Sequence, residues 1–290
     1  ERHLMGGDCL NVGCVPSKAL IRAGRRVHEA RAAGALGLPV SEGQLPDFGA
    51  AMERLREIRA KISHEDSAAR YTEEFGIDVY LGAARFTGRD TIDVDGTELR
   101  FKKAVIATGA RPLAPPTPGL AESGFLDNET VFSLTRRPGR LAVIGAGPIG
   151  CELSQAFRRL GSRVVVLEQA RQILGREDHD AAEILEGAFA REGIQVVLEC
   201  RIRNVETNGG EKVIHLTGSR AGEERIVVDE ILVGAGRAPN VQDLGLEKAG
   251  VAYDDLRGVT VDDNLRTTNR RIFAVGDVCM AWKFTHAADA

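Results

Sequence analysis

The sequence has 290 residues, which is enough for two domains with separate cores. Its formal net charge is -4, and only 5% of its residues are aromatic. This composition argues against a nucleic-acid-binding surface, which is usually basic. No apolar run reaches the roughly 18 residues that span a bilayer, and no signal peptide is visible, so we expect a cytoplasmic protein. Because the chain starts at Glu1 rather than Met, we expect a fragment.

The first predicted element is a helix over residues 15–33, and the stretch GGDCLNVGCVPSK leads into it. Cys9 and Cys14 of this stretch could be a zinc half-site, a redox pair or two independent buried thiols. Zinc is disfavoured, because a structural zinc site usually has four ligands and no second Cys or His pair lies near in the sequence. We therefore predict no metal site. On spacing alone, a redox pair and two unrelated thiols both stay open.

A disulfide between Cys9 and Cys14 sets a condition on the local backbone. Residues five apart on a regular helix have Cα atoms about 8–9 Å apart, whereas a disulfide requires less than about 7 Å. The helix start must therefore be distorted, which Asn11 and Gly13 permit. Cys14 would also lie at the N-terminus of the helix that Pro16 begins, where the helix dipole favours a thiolate.

Downstream, the apolar spacing predicts one long helix over residues 47–74, and then the period changes. Short β-rich runs follow within residues 77–110, with Asp95-Gly96 as a turn. The Pro-rich stretch RPLAPPTPG, residues 111–119, is typical of a linker between domains.

A second unit begins at LAVIGAGPIG and alternates strands with helices. The helices are predicted over residues 148–160 and 180–191, and strands are predicted at SRVVVLE and IQVVLEC. This alternation is typical of half of a doubly wound parallel sheet. A predicted hairpin, KVIHLTG and EERIVVDE, comes next, and the strand ILVGAG closes the unit.

Gly145, Gly147 and Gly150 form a G-x-G-x-x-G pattern between a predicted strand and a predicted helix. The first glycine permits a tight turn, the second lets a pyrophosphate approach the backbone, and the third lets the helix pack on the strand. Glu168 ends the next strand, where a carboxylate would bind ribose hydroxyls and repel a 2′-phosphate. The pattern therefore predicts a dinucleotide site that prefers NADH, although the nearby Arg171 weakens that preference.

Several stretches together resemble the flavin-dependent pyridine nucleotide-disulfide oxidoreductases. GGDCLNVGCVPSK is similar to the redox stretch of that family, and GAGPIGCE is similar to its nicotinamide-nucleotide turn. Further similar stretches follow in family order: ATG at residues 107–109, GAGRAPN at 234–240, TTNRRIFAVGD ending at Asp277, and KFTHAADA at 283–290. The resemblance covers essentially the whole sequence.

The resemblance implies an α/β fold with two Rossmann-like FAD/NAD(P)-binding domains of the three-layer ββα type, one inserted in the other. The FAD-binding domain would comprise residues 1–134 and 259–290, and the NAD(P)-binding domain residues 135–258. The family's first glycine-rich turn would then lie upstream of Glu1, and its dimerisation domain with the catalytic base downstream of Ala290. We expect FAD and NAD(H), rather than NADP(H), as cofactors, and a homodimer for the full-length protein.

The resemblance also assigns residues to the two cofactors. For FAD it implies Glu1, Gly7, Asp8, Cys9, Lys18, Ala84, Ala107, Thr108, Gly109, Asp277, Lys283, Phe284, Thr285 and His286. For NAD(P) it implies Gly145, Ala146, Gly147, Pro148, Ile149, Gly150, Glu152, Glu168 and Gly236.

In the implied reaction, hydride passes from NADH through the flavin to a Cys9–Cys14 disulfide. Cys14 is the sulfur nearest the flavin, and Cys9 is released to exchange with the substrate. Lys18 lies one helical turn beyond Cys14, and the resemblance places its charge near the flavin with Glu152 as its partner. Without the resemblance, a solvated lysine and a helix-start acid are the simpler interpretation of Lys18 and Glu152.

The substrate is less closely defined. Within the family, the opening stretch together with KFTHAADA is most similar to mercuric-reductase-like proteins, and lipoamide dehydrogenase comes next. The substrate would be a metal ion or a disulfide. A hypothesis of another class is a non-catalytic nucleotide-binding or redox-sensing module. The remaining cysteines are interpreted as small core residues: Cys151, Cys200 and Cys279.

Overall fold

The structure, a computed structural model, describes residues 1–34, 37, 46–218, 225–283 and 287–288. Its helices are α1 (Gly7–Asn11), α2 (Cys14–Gly34), α3 (Phe48–Ile62), α4 (Ala68–Phe75), α5 (Leu120–Ser123), α6 (Pro148–Arg159), α7 (His179–Glu192) and α8 (Leu246–Ala249). Its strands are β1 (Ala84–Phe86), β2 (Thr91–Val94), β3 (Thr97–Arg100), β4 (Ala104–Ile106), β5 (Ala110–Pro112), β6 (Arg140–Ile144), β7 (Arg163–Leu167), β8 (Gln195–Val197), β9 (Arg201–Asn208), β10 (Glu211–Thr217), β11 (Arg225–Val228), β12 (Glu230–Val233), β13 (Arg237–Pro239), β14 (Tyr253–Asp254), β15 (Gly258–Val259) and β16 (Ile272–Ala274).

The chain divides into two compact units. Unit 1 contains Glu1–Cys9, Ile62–Pro112 and Arg237–Ala290, and unit 2 contains Leu10–Lys61 and Leu113–Gly236. Each unit is therefore assembled from segments that are distant in the sequence. The boundaries of the two cofactor-binding domains that the resemblance implies stay a prediction.

Unit 2 is built around a parallel four-stranded sheet with the order β12-β6-β7-β8. Helix α6 connects β6 to β7, and helix α7 connects β7 to β8. The strands β6 and β7 are almost continuously apolar, as expected for parallel strands that are covered on both faces. This is the predicted alternation, and the ends of α6 and α7 lie within one residue of their predicted positions.

Successive residues of β6 face opposite layers of unit 2. Leu141 and Val143 belong to a core cluster that includes the α6 residue Phe157. Ala142 and Ile144 belong to a second cluster, which includes apolar residues of the antiparallel sheet β11-β10-β9. The unit therefore has three layers, with helices on one face of the parallel sheet and an antiparallel sheet on the other. The predicted α/β fold of the ββα type is confirmed.

Helix α2, which begins at Cys14, packs on α6 within unit 2. A Cβ at Gly24 would lie 3.3 Å from the Ala156 carbonyl oxygen, so the absence of a side chain lets the two helices approach closely. Leu20 is fully buried in the cluster that contains Phe157. These contacts anchor the helix that carries the second cysteine of the opening stretch.

Unit 1 contains the antiparallel sheet β1-β2-β3, the parallel pair β16-β4 and the antiparallel pair β13-β5. The predicted turn lies between β2 and β3, where Asp95 and Gly96 have φ angles of 47° and 90°. Positive φ at both positions is what a two-residue hairpin turn requires. Ile106 of β4 and Ile272 of β16 lie in the core cluster of this unit.

The prediction of one helix over residues 47–74 is wrong. Helix α3 ends at Ile62 and α4 begins at Ala68. Ser67 has an extended backbone, with φ −78° and ψ 147°, and its hydroxyl accepts a hydrogen bond from the Arg70 N–H. This N-cap begins a second helix, and apolar periodicity by itself does not report such a cap.

Two strand predictions are also too long. Of residues 77–86 only Ala84–Phe86 forms a strand, and of residues 194–200 only Gln195–Val197 does. Strand β9 is not predicted from the sequence, because its segment RIRNVETN is mostly charged or polar. It is nevertheless a strand, since it pairs antiparallel with β10. In the part of the chain that the structure describes, no helix is both long enough and apolar enough to cross a membrane.

Candidate active site

The glycine turn joins β6 to α6 in unit 2. Gly145 has a φ of 98°, a left-handed conformation that favours glycine, and a Cβ there would lie 2.7 Å from the Gly234 carbonyl oxygen. A Cβ at Gly150 would lie only 2.0 Å from the Gly145 carbonyl oxygen. A Cβ at Gly147 would meet no atom within 4 Å. The first and third glycines therefore hold the turn together, while the second leaves open space.

This open space lies at the N-terminus of α6. Gly147 is the N-cap of this 12-residue helix, Pro148 follows in its first turn, and no described side chain caps it. The next residue, Ile149, is partly exposed. The first N–H groups of a helix lack intrahelical partners and lie at the positive end of the helix dipole. The end of α6 is therefore suited to an anion such as a pyrophosphate.

Glu168 directly follows β7 and connects that strand to the glycine turn. Its Oε2 accepts a hydrogen bond from the Ala146 N–H at 2.7 Å, and its Oε1 accepts one from the Ala170 N–H at 2.9 Å. A carboxylate has about four lone-pair sites, so each oxygen can accept a further hydrogen bond from a hydroxyl. Gly236, the last residue of unit 2 in the sequence, has a φ of 133°, and its carbonyl oxygen accepts a hydrogen bond from the Leu113 N–H.

The opening stretch folds as two helices, with Val12 and Gly13 between them. Cys9 lies on α1 and is half-buried, whereas Cys14 is the first residue of α2 and is exposed. The two cysteines are therefore not on one continuous helix. Such a break is the condition that a disulfide between residues five apart places on the backbone. The assignment of these cysteines as a redox pair stays a prediction.

Lys18 and Glu152 form an ion pair within unit 2. The Lys18 Nζ donates to both carboxylate oxygens of Glu152, at 2.9 and 3.1 Å. The lysine side chain is 64% exposed and the glutamate side chain 39% exposed. The pair connects the first turns of α2 and α6, the two helices that begin at Cys14 and at the glycine turn.

In unit 1, Arg237 brings together two residues that the resemblance assigns to FAD. Its Nη2 donates to the Asp8 carboxylate and to the Ala110 carbonyl oxygen. Its Nε lies 3.4 Å from the Asp277 carboxylate but makes no hydrogen bond to any described atom. Burial raises the pKa of the Asp277 carboxyl, an effect that the charges of Arg237 and Lys283 oppose. A buried guanidinium donor is thus left unsatisfied between two carboxylates.

The ATG and GAGRAPN stretches lie side by side in unit 1. The Thr108 hydroxyl donates to the Asn240 carbonyl oxygen at 2.8 Å, and the Asn240 side-chain amide donates to the Thr108 carbonyl oxygen at 2.9 Å. Gly109 has a φ of 68°, and a Cβ there would meet no atom within 4 Å. Ala107 directly follows β4 and precedes this pair. Two motifs about 130 residues apart therefore form one surface, since the Thr108–Asn240 bonds span 132 positions.

The remaining residues assigned to FAD are more dispersed. The Glu1 carboxylate accepts hydrogen bonds from the neighbouring Arg2 and His3 N–H groups, and Ala84 is an exposed residue at the start of β1. Gly7 has a φ of 56° with open space where a Cβ would be. The structure does not connect Glu1 or Ala84 with Asp8 or Asp277.

Lys283 lies beside the carboxylate that Arg237 faces. Its Nζ donates to the Asp277 carbonyl oxygen at 2.7 Å and to the Met280 carbonyl oxygen at 3.2 Å. Burial lowers the pKa of the Lys283 ammonium. Three further residues assigned to FAD lie outside the described residues: Phe284, Thr285 and His286.

The other cysteines are small residues of the interior. Cys151 is buried, its thiol donates to the Ala146 carbonyl oxygen, and burial raises its pKa to about 12. Cys200 is buried in the second cluster of unit 2. Cys279 is partly buried, and burial raises its pKa as well. Raised pKa values keep these groups as thiols at neutral pH, so they are poor nucleophiles.

Arg237 and Asn240 are functional candidates that the sequence analysis did not select individually. Both lie in the quoted stretch GAGRAPN, of which only Gly236 was assigned to a cofactor from the sequence. The sequence feature that indicates a functional role is Arg237 itself, because a cation that close to a glycine turn is suited to binding an anionic group.

Residues 2–290 match the family described as pyridine nucleotide-disulphide oxidoreductase. The chain belongs to this family. A mercuric reductase from Lysinibacillus sphaericus is 34% identical over 290 residues, which cover 99% of this chain and 52% of the relative. A dihydrolipoyl dehydrogenase from Staphylococcus aureus is 33% identical over 296 residues, which cover 99% of this chain and 61% of the relative.

Among solved structures of this oxidoreductase family, the chain is similar to a Cu(II) complex of the HOCl-induced flavoprotein disulfide reductase RclA from Escherichia coli. The TM-score is 0.84 at 30% sequence identity, and the match covers 99% of this chain and 62% of that one. The chain therefore spans about half the length of the mercuric reductase and about three-fifths of the other two proteins. The predicted family is confirmed, and its relatives are oxidoreductases.

Proposed function

We propose that this chain contributes the coenzyme site, part of the flavin site and the redox-active cysteines of an NAD(P)H-dependent flavoprotein reductase. The observation that carries the proposal is the glycine turn. Gly147 leaves open space beside the uncapped N-terminus of α6, and Glu168 presents its carboxylate next to that space. Family membership connects this coenzyme site with the cysteine stretch at residues 6–18.

The coenzyme pyrophosphate would bind the backbone between Gly145 and Gly150. The ribose hydroxyls would bind the carboxylate of Glu168. Its two oxygens accept hydrogen bonds from the Ala146 and Ala170 N–H groups and can each accept a further one from a hydroxyl. A 2′-phosphate at the same place would add about two negative charges beside a carboxylate. NADH is therefore the proposed coenzyme rather than NADPH.

The residues of unit 1 fit a flavin nucleotide. The Arg237 Nε is a buried donor that lacks an acceptor among the described atoms, and a phosphate oxygen would satisfy it. Gly7 and Gly109 both have positive φ and open space where a side chain would project, so their backbone is accessible to a ligand. Asp8 and Asp277 offer carboxylates to ligand hydroxyls. These residues would hold FAD, together with Thr108 and Lys283.

When bound, FAD would supply two-electron transfer between a nicotinamide and a disulfide. Two electrons and two protons convert a Cys9–Cys14 disulfide into two thiols. The Cys9 thiolate then attacks a substrate disulfide, or binds a soft metal ion, for which thiolates are preferred ligands. Lys18 lies one turn beyond Cys14, and Glu152 restricts the position of its ammonium group.

Mercuric ion is the first proposed substrate, and lipoamide or another disulfide is the second. This order follows the sequence resemblance, and a mercuric reductase and a dihydrolipoyl dehydrogenase are both among the relatives at similar identity. A homodimer is proposed for the full-length protein.

The test compares full-length protein with its Cys14→Ser variant. We expect the purified protein to show a flavin absorption band and to oxidise NADH when mercuric ion or lipoamide is added. Cys14→Ser should lower this turnover by about 1,000-fold, because the electron pair can no longer be stored between two sulfurs. Cys279→Ser, which changes a thiol that is not one of the two proposed redox cysteines, should retain it.

Two results would contradict the proposal. Unchanged turnover in Cys14→Ser would remove the redox role of the opening stretch. A colourless full-length protein that still binds NADH by calorimetry would instead indicate a nucleotide-binding module without redox turnover.

A further inference from the structure

The chain that leaves β8 lies directly against the loop that leaves β7. The Glu199 N–H donates to the Ala170 carbonyl oxygen at 3.0 Å, and the Cys200 N–H donates to the Glu168 carbonyl oxygen at 3.1 Å. Both strands belong to the parallel sheet of unit 2, so their carboxyl ends meet at the same edge. Glu199 is thereby held next to the residue that faces the ribose in the proposed coenzyme site.

Glu199 has an unusual backbone conformation. Its φ is 53°, in the left-handed region, which is strained for a residue with a Cβ. Glycine, or Asn, would be the less strained choice for such a turn between two strands. Backbone strain of this kind is concentrated at functional sites, where it directs a particular side chain. The carboxylate of this residue lies beside Arg171, in the loop after Glu168.

Glu199 has a basic neighbour in that loop. The Arg171 Nε lies 3.6 Å from the Glu199 Oε1, an ion pair that is too long for a hydrogen bond. The Arg171 side chain is 89% exposed, whereas that of Glu199 is only 30% exposed. The glutamate is therefore the fixed member of the pair, and the arginine is the member that can move.

Arg171 is the cation that a 2′-phosphate would require at this position, since Arg binds phosphate through two parallel hydrogen bonds. With Glu199 present, the loop presents two carboxylates and one guanidinium, so its net charge is negative. We propose that Glu199 is a coenzyme-specificity residue, which disfavours the 2′-phosphate of NADPH by engaging Arg171. This inference rests on the proposed coenzyme site, and it adds a second acidic determinant to Glu168.

The experiment measures binding of NAD⁺ and NADP⁺ to the full-length protein by calorimetry at low ionic strength, where exposed charges are least screened. The quantity of interest is the ratio of the two dissociation constants, NADP⁺ over NAD⁺. In Glu199→Gln we expect this ratio to fall about tenfold. Glu206→Gln, which removes a more exposed acidic charge on β9, should leave the ratio within about twofold of the wild type.

A double-mutant cycle separates action through Arg171 from direct repulsion. Arg171→Gln alone should change the ratio by less than about threefold, because in the wild type Glu199 already engages this guanidinium. In Glu199→Gln/Arg171→Gln the tenfold gain should disappear, since no guanidinium is left to bind the 2′-phosphate. If the double variant gains as much as Glu199→Gln does, Glu199 does not act through Arg171 and the inference is overturned.

A second variant that removes the Glu199 charge controls for a folding defect in the first. Glu199→Asn removes the same charge and suits a positive φ, so both variants should shift the ratio in the same direction. A ratio equal to that of Glu206→Gln in both variants would overturn the inference while leaving the proposed function intact. If the wild-type protein binds neither dinucleotide, the proposed function fails, and this inference fails with it.

Discussion

The proposed coenzyme-binding turn of unit 2 and the proposed flavin surface of unit 1 are assembled in opposite ways. The turn uses contiguous residues, 145–150, and the carboxylate of Glu168, which directly follows the next strand, β7. The flavin surface combines Asp8, Thr108, Arg237 and Asp277, which come from segments distant in the sequence. A contiguous turn is held by backbone contacts, whereas a dispersed surface depends on side-chain charges. The two sites should therefore fail differently when they are altered.

The largest effect is expected for Gly150→Ala. Its Cβ would lie 2.0 Å from the Gly145 carbonyl oxygen, so α6 must move away from β6. We expect the free energy of unfolding to fall by roughly 3 kcal/mol and NAD⁺ binding to be lost. Urea unfolding and calorimetry measure the two quantities.

Gly147→Ala is the matched control for that variant. Its φ of −72° is ordinary for alanine, and an added Cβ meets no atom, so stability should change by less than about 0.5 kcal/mol. NAD⁺ binding should still weaken about tenfold, because the methyl group occupies the space needed by the pyrophosphate. Equal loss of stability in both variants would show that the open space at Gly147 has been misassigned.

Arg237→Gln tests the dispersed surface, where we expect a loss of about 1–3 kcal/mol in the free energy of unfolding. The change removes the partner of Asp8 and the cation facing Asp277. Burial already raises the pKa of Asp277 above its ordinary value, and the arginine charge opposes that rise. Ionisation of Asp277 should therefore lower the free energy of unfolding more in the variant than in the wild type.

The sign of the pH dependence follows from that raised pKa. A carboxyl whose folded-state pKa is raised contributes stability below about pH 4 and loses it as the pH rises through the folded-state pKa. The stability deficit of Arg237→Gln should thus grow between pH 4 and pH 7 in urea unfolding of the apoprotein. Adding Asp277→Asn should remove most of that growth. A stability deficit that is constant with pH would mean that the Arg237 charge does not affect the ionisation of Asp277.

The smallest effect on stability is expected at the Lys18–Glu152 pair. Both side chains are more than one-third exposed, and exposed ion pairs contribute little. Lys18→Met and Glu152→Gln should each change the free energy of unfolding by less than about 1 kcal/mol. NADH-dependent turnover should nevertheless fall severalfold if the pair serves the redox site. A stability loss above about 2 kcal/mol, more than an exposed ion pair contributes, with unchanged turnover would make the pair a structural link between α2 and α6.

Local patterns in the sequence predicted the elements that are defined by neighbouring residues. The turn at Asp95-Gly96, the helices α6 and α7 and the glycine turn are of this kind, because their geometry depends on φ preference and on short-range spacing. The break between α3 and α4 was missed, since it depends on one capping hydroxyl at Ser67. Strand β9 was missed because it is defined by pairing with β10 rather than by its own composition.

The sequence by itself determined the family, the α/β class and the contiguous glycine turn, because each depends on residues that lie close together along the chain. Only the tertiary structure placed Arg237 between Asp8 and Asp277, and Glu199 beside Arg171. Those contacts join segments that are between 28 and 229 residues apart. The spacing of residues along a chain does not report which distant charges meet, since chain folding and burial decide that.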